Sequence, residues 1–178
     1  GETLEEFERN LEAELDKLHA ELTDWTYRPG PVRRVAIPKP GGGQRGLGIP
    51  NVVDRLVQQA VHQVLEPVFE AGFHDSSHGF RRGRGAQTAI VEAAKYVNEG
   101  RTWVVAIDLS KFFDKVNHQR LLARLSQKVV DGRLLKLIHR MLKAAVVMPD
   151  GTQVQTTEGT PQGGPLSPLL SNIVLDEL

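Results

Sequence analysis

The sequence predicts an α+β fold, and two spacing patterns lead to this prediction. Apolar residues recur every three or four positions in several segments, which is the period of an amphipathic helix. Short apolar or alternating runs lie between these segments and are bounded by turn residues, as strands are. Helices do not alternate regularly with strands, so a doubly wound parallel sheet is not expected. A chain of 178 residues suits one domain, or two subdomains that share a core.

The first element is predicted to be a helix. Thr3 and Glu6 have the spacing of a capping box, and a stripe of leucines then continues to Leu22. Residues 32–37 and 46–49 are expected to be the strands of a hairpin, because a glycine-rich loop separates them. The chain then continues as a helix opened by Pro50 and Asn51, a polar loop over 71–85, and a helix over 86–98 whose inner face is Ala89, Ile90, Ala93, Ala94 and Val97.

The second half of the chain opens with the apolar run 103–107. Its length and β-branched content predict a strand that is buried on both faces. Further on, Pro149, Asp150 and Gly151 are turn residues and predict the tip of another hairpin. The remaining predicted elements are helices over 118–127 and 132–145, the hairpin over 146–157, an irregular loop over 159–168, and a last helix from Leu169 to Leu178.

Composition excludes several classes of protein. The chain has no cysteine, so it forms neither disulfides nor cysteine-ligated zinc sites. No apolar run approaches the roughly 18 residues of a membrane span, and no membrane partner is expected. The start of the chain lacks a signal-peptide pattern, which favours a cytoplasmic protein.

The net charge of zero conceals an uneven distribution. Residues 1–24 carry nine acidic and two basic side chains, whereas the segment from Arg28 to Lys143 carries 20 basic and nine acidic ones. An excess of this size predicts a polyanionic partner such as nucleic acid. The alternative is a solvated surface on which the charges mix in three dimensions.

Asp108 is the first candidate for chemistry, because it stands at the carboxyl end of the predicted strand 103–107. A carboxylate there is costly unless it is paired or binds a cation, and polymerases hold magnesium with carboxylates in such positions. An aspartate at a strand end also commonly caps the following turn. Asp114 is expected to cap the next helix or to pair with a nearby base, and a nuclease built on Asp108 and Asp114 is a further alternative.

Three segments carry features of phosphate or nucleotide binding. Lys39 and Arg45 flank the glycine-rich loop, where two cations on two arms would clamp a triphosphate. A second cluster of cations, interleaved with glycines, suits contact with a phosphate backbone and consists of Arg81, Arg82 and Arg84. The segment 159–168 has three glycines and three prolines, and its main chain and Gln162 would approach a flat ligand such as a base pair. The alternatives are a solvated hairpin tip, a solvated loop and a structural connector.

Four blocks of the sequence, in order, resemble the successive motifs of bacterial reverse transcriptases, in particular those encoded by group II introns. They are Arg34–Pro40 with Arg45 and Leu47–Pro50, then Ser77–Arg81, Asp108–Asp114 and Gly159–Pro168. The resemblance covers nearly the whole chain and implies the right-hand polymerase fold. It divides the chain into an amino-terminal helical extension (1–28), fingers (29–101), the start of the palm (102–117), a helical insertion with a hairpin (118–158), and a nucleotide-pocket loop with the following palm helix (159–178).

The resemblance also implies roles for individual residues. Asp108 looks like the first metal-binding aspartate, with the carbonyl of Leu109 as an additional ligand to Mg²⁺. Phe113 stands at the position of the aromatic gate that excludes a 2′-hydroxyl. The expected triphosphate contacts are Lys39 and Arg45, the pocket lining is Gln162 and Gly163, and Arg81 falls where the family contacts the template.

The function implied is RNA-directed DNA polymerisation, with an RNA template, a DNA primer, deoxynucleoside triphosphates and intron RNA as partners. Gly46 stands where the family usually has proline, and His78 where tyrosine is expected. The family's second metal motif, with two aspartates, does not occur before Leu178, so the palm is expected to be truncated and this chain inactive but able to bind RNA. The alternatives are a splicing cofactor without catalysis, and a homodimer formed through the leucine stripe.

Overall fold

A computed structural model describes residues 3–176 of the chain. These residues form seven helices, four strands and one 3-10 turn at Phe112–Asp114. The helices are α1 (Leu4–Arg9), α2 (Leu11–Thr23), α3 (Val52–Glu70), α4 (Ala86–Asn98), α5 (His118–Leu125), α6 (Gly132–Leu142) and α7 (Ser167–Leu175), and the strands are β1 (Val32–Pro38), β2 (Gln44–Ile49), β3 (Val146–Val147) and β4 (Gln153–Val154).

The four strands make one small mixed sheet in the order β2-β1-β3-β4. The predicted first hairpin is confirmed: β1 and β2 are antiparallel, with Ile37 opposite Arg45. The second predicted hairpin is also confirmed, and its strand β3 lies parallel to β1. Pairing between β1 and β3 therefore joins the first hairpin to the segment that follows α6.

The helices share one apolar core. Four side chains at its centre, from α3, α5 and α6, are at most 1% exposed and are Leu65, Leu121, Leu125 and Ile138. Residues of α7 and Leu18 of α2 pack against them. This core spans elements from both ends of the chain and includes Val116, with Phe112 packed against it, so it anchors the end of the segment 107–114.

The amino-terminal segment is attached by a buried polar group. Asp54, on the first turn of α3, accepts hydrogen bonds from the hydroxyl of Tyr27 and, at 3.0 Å, from the backbone N–H of Gly30. Burial raises the pKa of Asp54, while the two hydrogen bonds act in the opposite direction. These bonds connect the segment before β1 to the helix that follows β2.

The predicted first helix is interrupted. The capping box of Thr3 and Glu6 is confirmed, but the helix ends at Asn10 and a second one begins at Leu11. Along the two helices Phe7 and Leu18 are buried, while three leucines are at least 40% exposed, namely Leu4, Leu11 and Leu15. Self-association through this stripe stays a prediction.

The prediction of a strand buried on both faces at 103–107 is wrong for this structure. Trp103 is 94% exposed, and Val104, Val105 and Ile107 are each more than 80% exposed. A strand needs a neighbour that takes up its backbone N–H and C=O groups. Within residues 3–176 the one sheet formed does not include this run, so its apolar side chains have nothing to pack against.

The interpretation of α4 was half correct. Its bounds are as predicted, but none of its residues is buried, because no other described element covers its apolar face. The later helices α5 and α6 end two to three residues earlier than expected, and α7 begins at Ser167 rather than Leu169. The predicted end of this last helix, at Leu178, lies outside the described residues. No helix of the described part is both long and apolar enough to cross a bilayer.

Candidate functional site

One open cleft brings together most of the residues singled out by the sequence. It has a volume of about 760 Å³ and lies between the β1–β2 hairpin, the segment 107–114 and the loop that carries Gln162. Six of the predicted site residues line it: Lys39, Arg45, Asp108, Leu109, Phe113 and Gln162. Arg34, Gln44, Gly46, Lys111, Phe112 and Asp114 also contribute to the wall.

The two hairpin cations stand at the open end of the cleft. Arg45 pairs with Ile37 across the strands, and Lys39 begins the tight loop, where its N–H donates to the carbonyl of Gly43 at 3.1 Å. Both side chains are exposed, and neither forms an ion pair with another described residue. Two unpaired cations on opposite arms of a hairpin suit a multiply charged anion.

The opposite wall is the segment 107–114, in which Asp108 precedes a short turn that carries Phe113. Lys111 adopts the left-handed conformation (φ 52°), which is uncommon for a residue with a side chain. The 3-10 turn follows, and within it the rings of Phe112 and Phe113 meet edge to face, with centroids 5.6 Å apart. Phe113 is thereby held as a half-buried aromatic side chain. Along the chain it follows Asp108 by five residues and Leu109 by four.

The glycine-rich loop 159–164 is bonded directly to this turn. The N–H groups of Gly159 and Thr160 donate at 2.7 Å to the carbonyls of Val116 and Phe113. His118 is buried, and its Nε2 lies 2.6 Å from the carbonyl oxygen of Gly159. These three bonds fix the loop relative to Phe113. The glycines and prolines concentrated in the loop therefore have a structural role.

The same loop also contacts β2. The N–H of Gly48 donates to the carbonyl of Gln162 at 3.0 Å. A Cβ on Gly163 would lie 2.8 Å from the carbonyl oxygen of Gly48, so only glycine fits there without a shift of the backbone. The loop therefore bridges the hairpin, through Gln162 and Gly163, and the turn that carries Phe113, through Thr160.

The predicted arginine cluster lies outside the cleft, and its members differ in exposure. The side chain of Arg81 is 4% exposed and pairs with Glu70 at 2.7 Å. It also donates to the carbonyls of His74 and Ser77, at 2.7 and 2.9 Å. A template contact by Arg81 would require these bonds to break.

The other two arginines of the loop are nearer to solvent. Arg84 pairs with Asp75 at 3.3 Å. Arg82 is exposed, and no described residue pairs with it. Of the three predicted cations, Arg82 is therefore the one whose guanidinium is available to a phosphate.

A polar cluster attaches this loop to α4. Glu92 accepts hydrogen bonds from Ser76 and Tyr96, and its Oε2 lies 2.7 Å from Nε2 of His78. The other ring nitrogen of His78 lies 2.8 Å from the hydroxyl of Thr88. Hydrogen bonds from Ser76, His78 and Tyr96 lower the pKa of Glu92 to about 2.

A pH dependence of the loop follows from this pKa. The ordinary pKa of Glu92 is 4.5 and its folded value is about 2, so its contribution is complete above pH 4.5 and is lost as the pH falls toward 2. Protection of the amides of 76–84 against hydrogen exchange, taken relative to the intrinsic exchange rate at each pH, should fall across that window. In Glu92→Gln these amides should exchange faster already at neutral pH and show no such window. A window of equal size in both proteins would contradict the assignment.

The donors for a cation in the cleft are few. The carboxylate of Asp108 and the carbonyl of Leu109 are hard oxygen ligands of the kind that Mg²⁺ takes, usually with water and phosphate oxygens completing the octahedron. No group of three or more His, Cys, Asp or Glu side chains suited to a metal occurs within residues 3–176. The donors present therefore suit one magnesium ion that is shared with a phosphate ligand.

Among the charged residues that line the cleft, sequence reasoning assigned no role to two cations and left the role of one carboxylate open. Arg34 and Lys111 face the cleft, but nothing in their local pattern distinguishes them from surface cations. Asp114 was expected either to cap a helix or to pair with a base. The structure has Asn117 as the cap of α5 and places Asp114 3.9 Å from Arg34, so the second expectation is confirmed.

Comparison with known proteins extends these observations. Residues 37–178 match the family described as reverse transcriptase (RNA-dependent DNA polymerase). Protein YkfC of Escherichia coli strain K12 is 42% identical over 171 residues, which are 94% of this chain and 45% of YkfC. The group II intron-encoded protein LtrA of Lactococcus lactis subsp. cremoris is 41% identical over 168 residues, which are 94% of this chain and 28% of LtrA.

The fold is found in solved structures as well. A structure titled partial Cas6-RT-Cas1–Cas2 complex superposes with a TM-score of 0.65 at 29% identity, and the match covers 99% of this chain and 30% of the other. The chain thus spans less than half the length of these relatives. The family match extends over most of the sequence and includes the whole cleft apart from Arg34, so the chain belongs to the reverse transcriptase family.

Proposed function

We propose that this chain forms the nucleotide-binding part of an RNA-directed DNA polymerase from a mobile element of the group II intron type. The observation that carries the proposal is the single cleft shared by two hairpin cations, an exposed carboxylate and an aromatic side chain, which are Lys39, Arg45, Asp108 and Phe113. Adding a deoxynucleotide to a primer needs these elements together, because phosphoryl transfer depends on positioning and on charge stabilisation.

Each wall of the cleft would have one task. Lys39 and Arg45 would bind the triphosphate, because both line the cleft and neither has an acidic partner among the described residues. Phe113, held by the 3-10 turn, would lie beneath the sugar and leave no room for a 2′-hydroxyl. Gln162 and Gly163 would line the pocket for the base, since their loop is bonded both to β2 and to the turn.

Asp108 and the carbonyl of Leu109 would hold magnesium together with phosphate oxygens of the nucleotide. When bound, the ion supplies charge neutralisation at the phosphate under attack. Asp108 is exposed and has no ion pair with a described residue, so its carboxylate is available for this purpose. The sequence contributes one carboxylate of the family's metal set, and we propose that the chain alone binds RNA without polymerising.

The partners, the division into subdomains, the cellular location and the oligomeric state are part of the same proposal. RNA template, intron RNA, DNA primer and deoxynucleoside triphosphates are the partners, and the division into extension (1–28), fingers (29–101) and palm segments follows the family. We propose a bacterial cytoplasm as the location, and the relatives from Escherichia coli and Lactococcus lactis support the bacterial origin alone. A homodimer through Leu4, Leu11 and Leu15 is supported by their exposure alone.

Primer extension tests the proposal. A full-length protein that contains this chain is incubated with an RNA template, a DNA primer, magnesium and deoxynucleoside triphosphates. Extension that requires all four components supports a polymerase. Binding of RNA without extension by a folded protein would favour the splicing cofactor. Cleavage that needs magnesium but no nucleotide would favour the nuclease built on Asp108 and Asp114.

RNA binding by this chain alone should depend steeply on salt. Each phosphate contact contributes a slope of about −0.7 in log K against log salt for single strands. Arg82→Gln should reduce the slope by about that amount, because one contact is lost. Arg9→Gln, which removes the same charge from the acidic amino-terminal helix, should leave the slope unchanged. Filter-binding titrations at several salt concentrations measure both, and equal slopes for the two variants would contradict the role of Arg82.

A further inference from the structure

Arg34 crosses the face of the hairpin toward the turn that carries Phe113. It lies on β1 opposite Gly48, and its guanidinium reaches the cleft wall, where NH2 lies 3.9 Å from Oδ1 of Asp114. Its side chain is 33% exposed. Asp114 is its one acidic partner within residues 3–176, so the pair joins the two walls of the cleft by charge.

The side chain of Arg34 can cross the hairpin in this way because residue 46 is glycine. A Cβ at Gly46 would meet the guanidinium of Arg34 at 2.1–2.4 Å. The contact is with the end of a flexible side chain, so a larger residue would displace the guanidinium and leave β2 in place. The space above Gly46 is therefore occupied by the Arg34 side chain.

Asp114 is well placed to transmit this contact to Phe113. It is the last residue of the 3-10 turn, and its N–H donates to the carbonyl of Lys111 at 3.0 Å. The carbonyl of the preceding residue, Phe113, accepts the hydrogen bond from Thr160. A displacement of Asp114 would therefore move the turn relative to both the hairpin and the loop 159–164.

We infer that Arg34 and Asp114 act as a positioning pair, which sets the distance between the triphosphate-binding cations of the hairpin and the aromatic surface of Phe113. The inference rests on the proposed function, because the ligand held between these walls is a deoxynucleoside triphosphate. Neither residue is required to touch the nucleotide. The pair holds Lys39 and Arg45 at a fixed distance from Phe113, against which the sugar of the nucleotide would lie.

A double-mutant cycle tests the pair. Arg34→Gln and Asp114→Asn should each raise KM for the deoxynucleotide about threefold in primer extension, the effect expected of a partly exposed ion pair, with kcat changed less than about twofold. The double variant should also show about a threefold increase, because either change alone breaks the pair. Arg33→Gln, one residue away on the opposite face of β1, removes the same charge and should leave KM unchanged. Multiplicative effects of the two substitutions would overturn the inference.

A second variant separates position from charge. Gly46→Ala keeps both charges but displaces the guanidinium, so it should raise KM as much as Arg34→Gln does. An unchanged KM in Gly46→Ala would also overturn the inference.

Hydrogen exchange of the Lys115 amide, which donates to Phe112 at 3.0 Å, provides a readout without catalysis. In this chain it should accelerate equally in Arg34→Gln, Asp114→Asn and the double variant. If the full-length protein extends no primer, the proposed function fails while this measurement still decides the pair. Unchanged exchange in both single variants overturns it.

Discussion

Asp108→Asn is expected to abolish primer extension by a full-length protein that contains this chain, with a loss in rate of about 10³ or more. The carboxylate is exposed in the cleft and free of ion pairs with described residues, so asparagine removes a negative charge and leaves the packing unchanged. Thermal unfolding should therefore be unaffected, and RNA binding should persist. The loss would lie in the charge available to hold a cation at the reacting phosphate.

Two matched substitutions complete this experiment. Asp16→Asn removes an exposed aspartate on α2 and should leave extension unchanged. Asp114→Asn should impair nucleotide binding a few-fold, as an ion pair does, and not abolish the reaction. If Asp108→Asn retained full activity, the active site would have been placed wrongly. If Asp114→Asn abolished a nuclease activity equally with Asp108→Asn, the two-carboxylate nuclease would replace the polymerase.

Gly159→Ala is expected to reduce extension by about 10²-fold, because displacements near 1 Å in a catalytic site have effects of that size. A Cβ at this position would lie 2.9 Å from the carbonyl oxygens of Asp114 and Phe113, both of which are backbone atoms. The loop and the turn would have to separate, which lengthens the bond from Thr160 to Phe113. Gly159 also has φ +87°, a conformation that costs a residue with a side chain about 1–2 kcal/mol.

Gly151→Ala is the control for backbone strain. Gly151 has φ +86° at the tip of the second hairpin, and a Cβ there would meet nothing within 4 Å. Both alanine variants should lose similar stability from the backbone term, measured as a fall in Tm. Gly159→Ala alone should show a further fall in Tm, caused by the contact of the added Cβ with the backbone, together with the loss of activity. Equal activity in the two variants would contradict the role of the loop 159–164 in positioning Phe113.

Elements with local causes were predictable from the sequence. The β1–β2 hairpin was expected because alternating residues flank a glycine-rich loop, and α4 was expected because its apolar residues have helical spacing. The composition of the cleft was also predictable, since Lys39, Asp108 and Gln162 lie in blocks that the resemblance interprets together. The structure brings these three residues together in the lining of one cleft.

Features that depend on tertiary neighbours were not predictable. The run 103–107 has the composition of a buried strand, but burial needs a covering element that no pattern within the run specifies. The ion pair between Arg81 and Glu70 could not be predicted either, because the two residues lie in different elements. Arg34 resembled its neighbour Arg33, and only the register of the hairpin and the space above Gly46 distinguish them.

The exposed run at 103–107 has a consequence for the colloidal behaviour of this chain. Its five residues are uncharged, include neither proline nor glycine, and are rich in β-branched side chains, which is the composition of segments that stack into cross-β assemblies. Arg101 and Asp108 flank the run and supply the charges that oppose such stacking. In concentrated solution we therefore expect aggregation of the isolated chain to begin at these five residues rather than at the helical core.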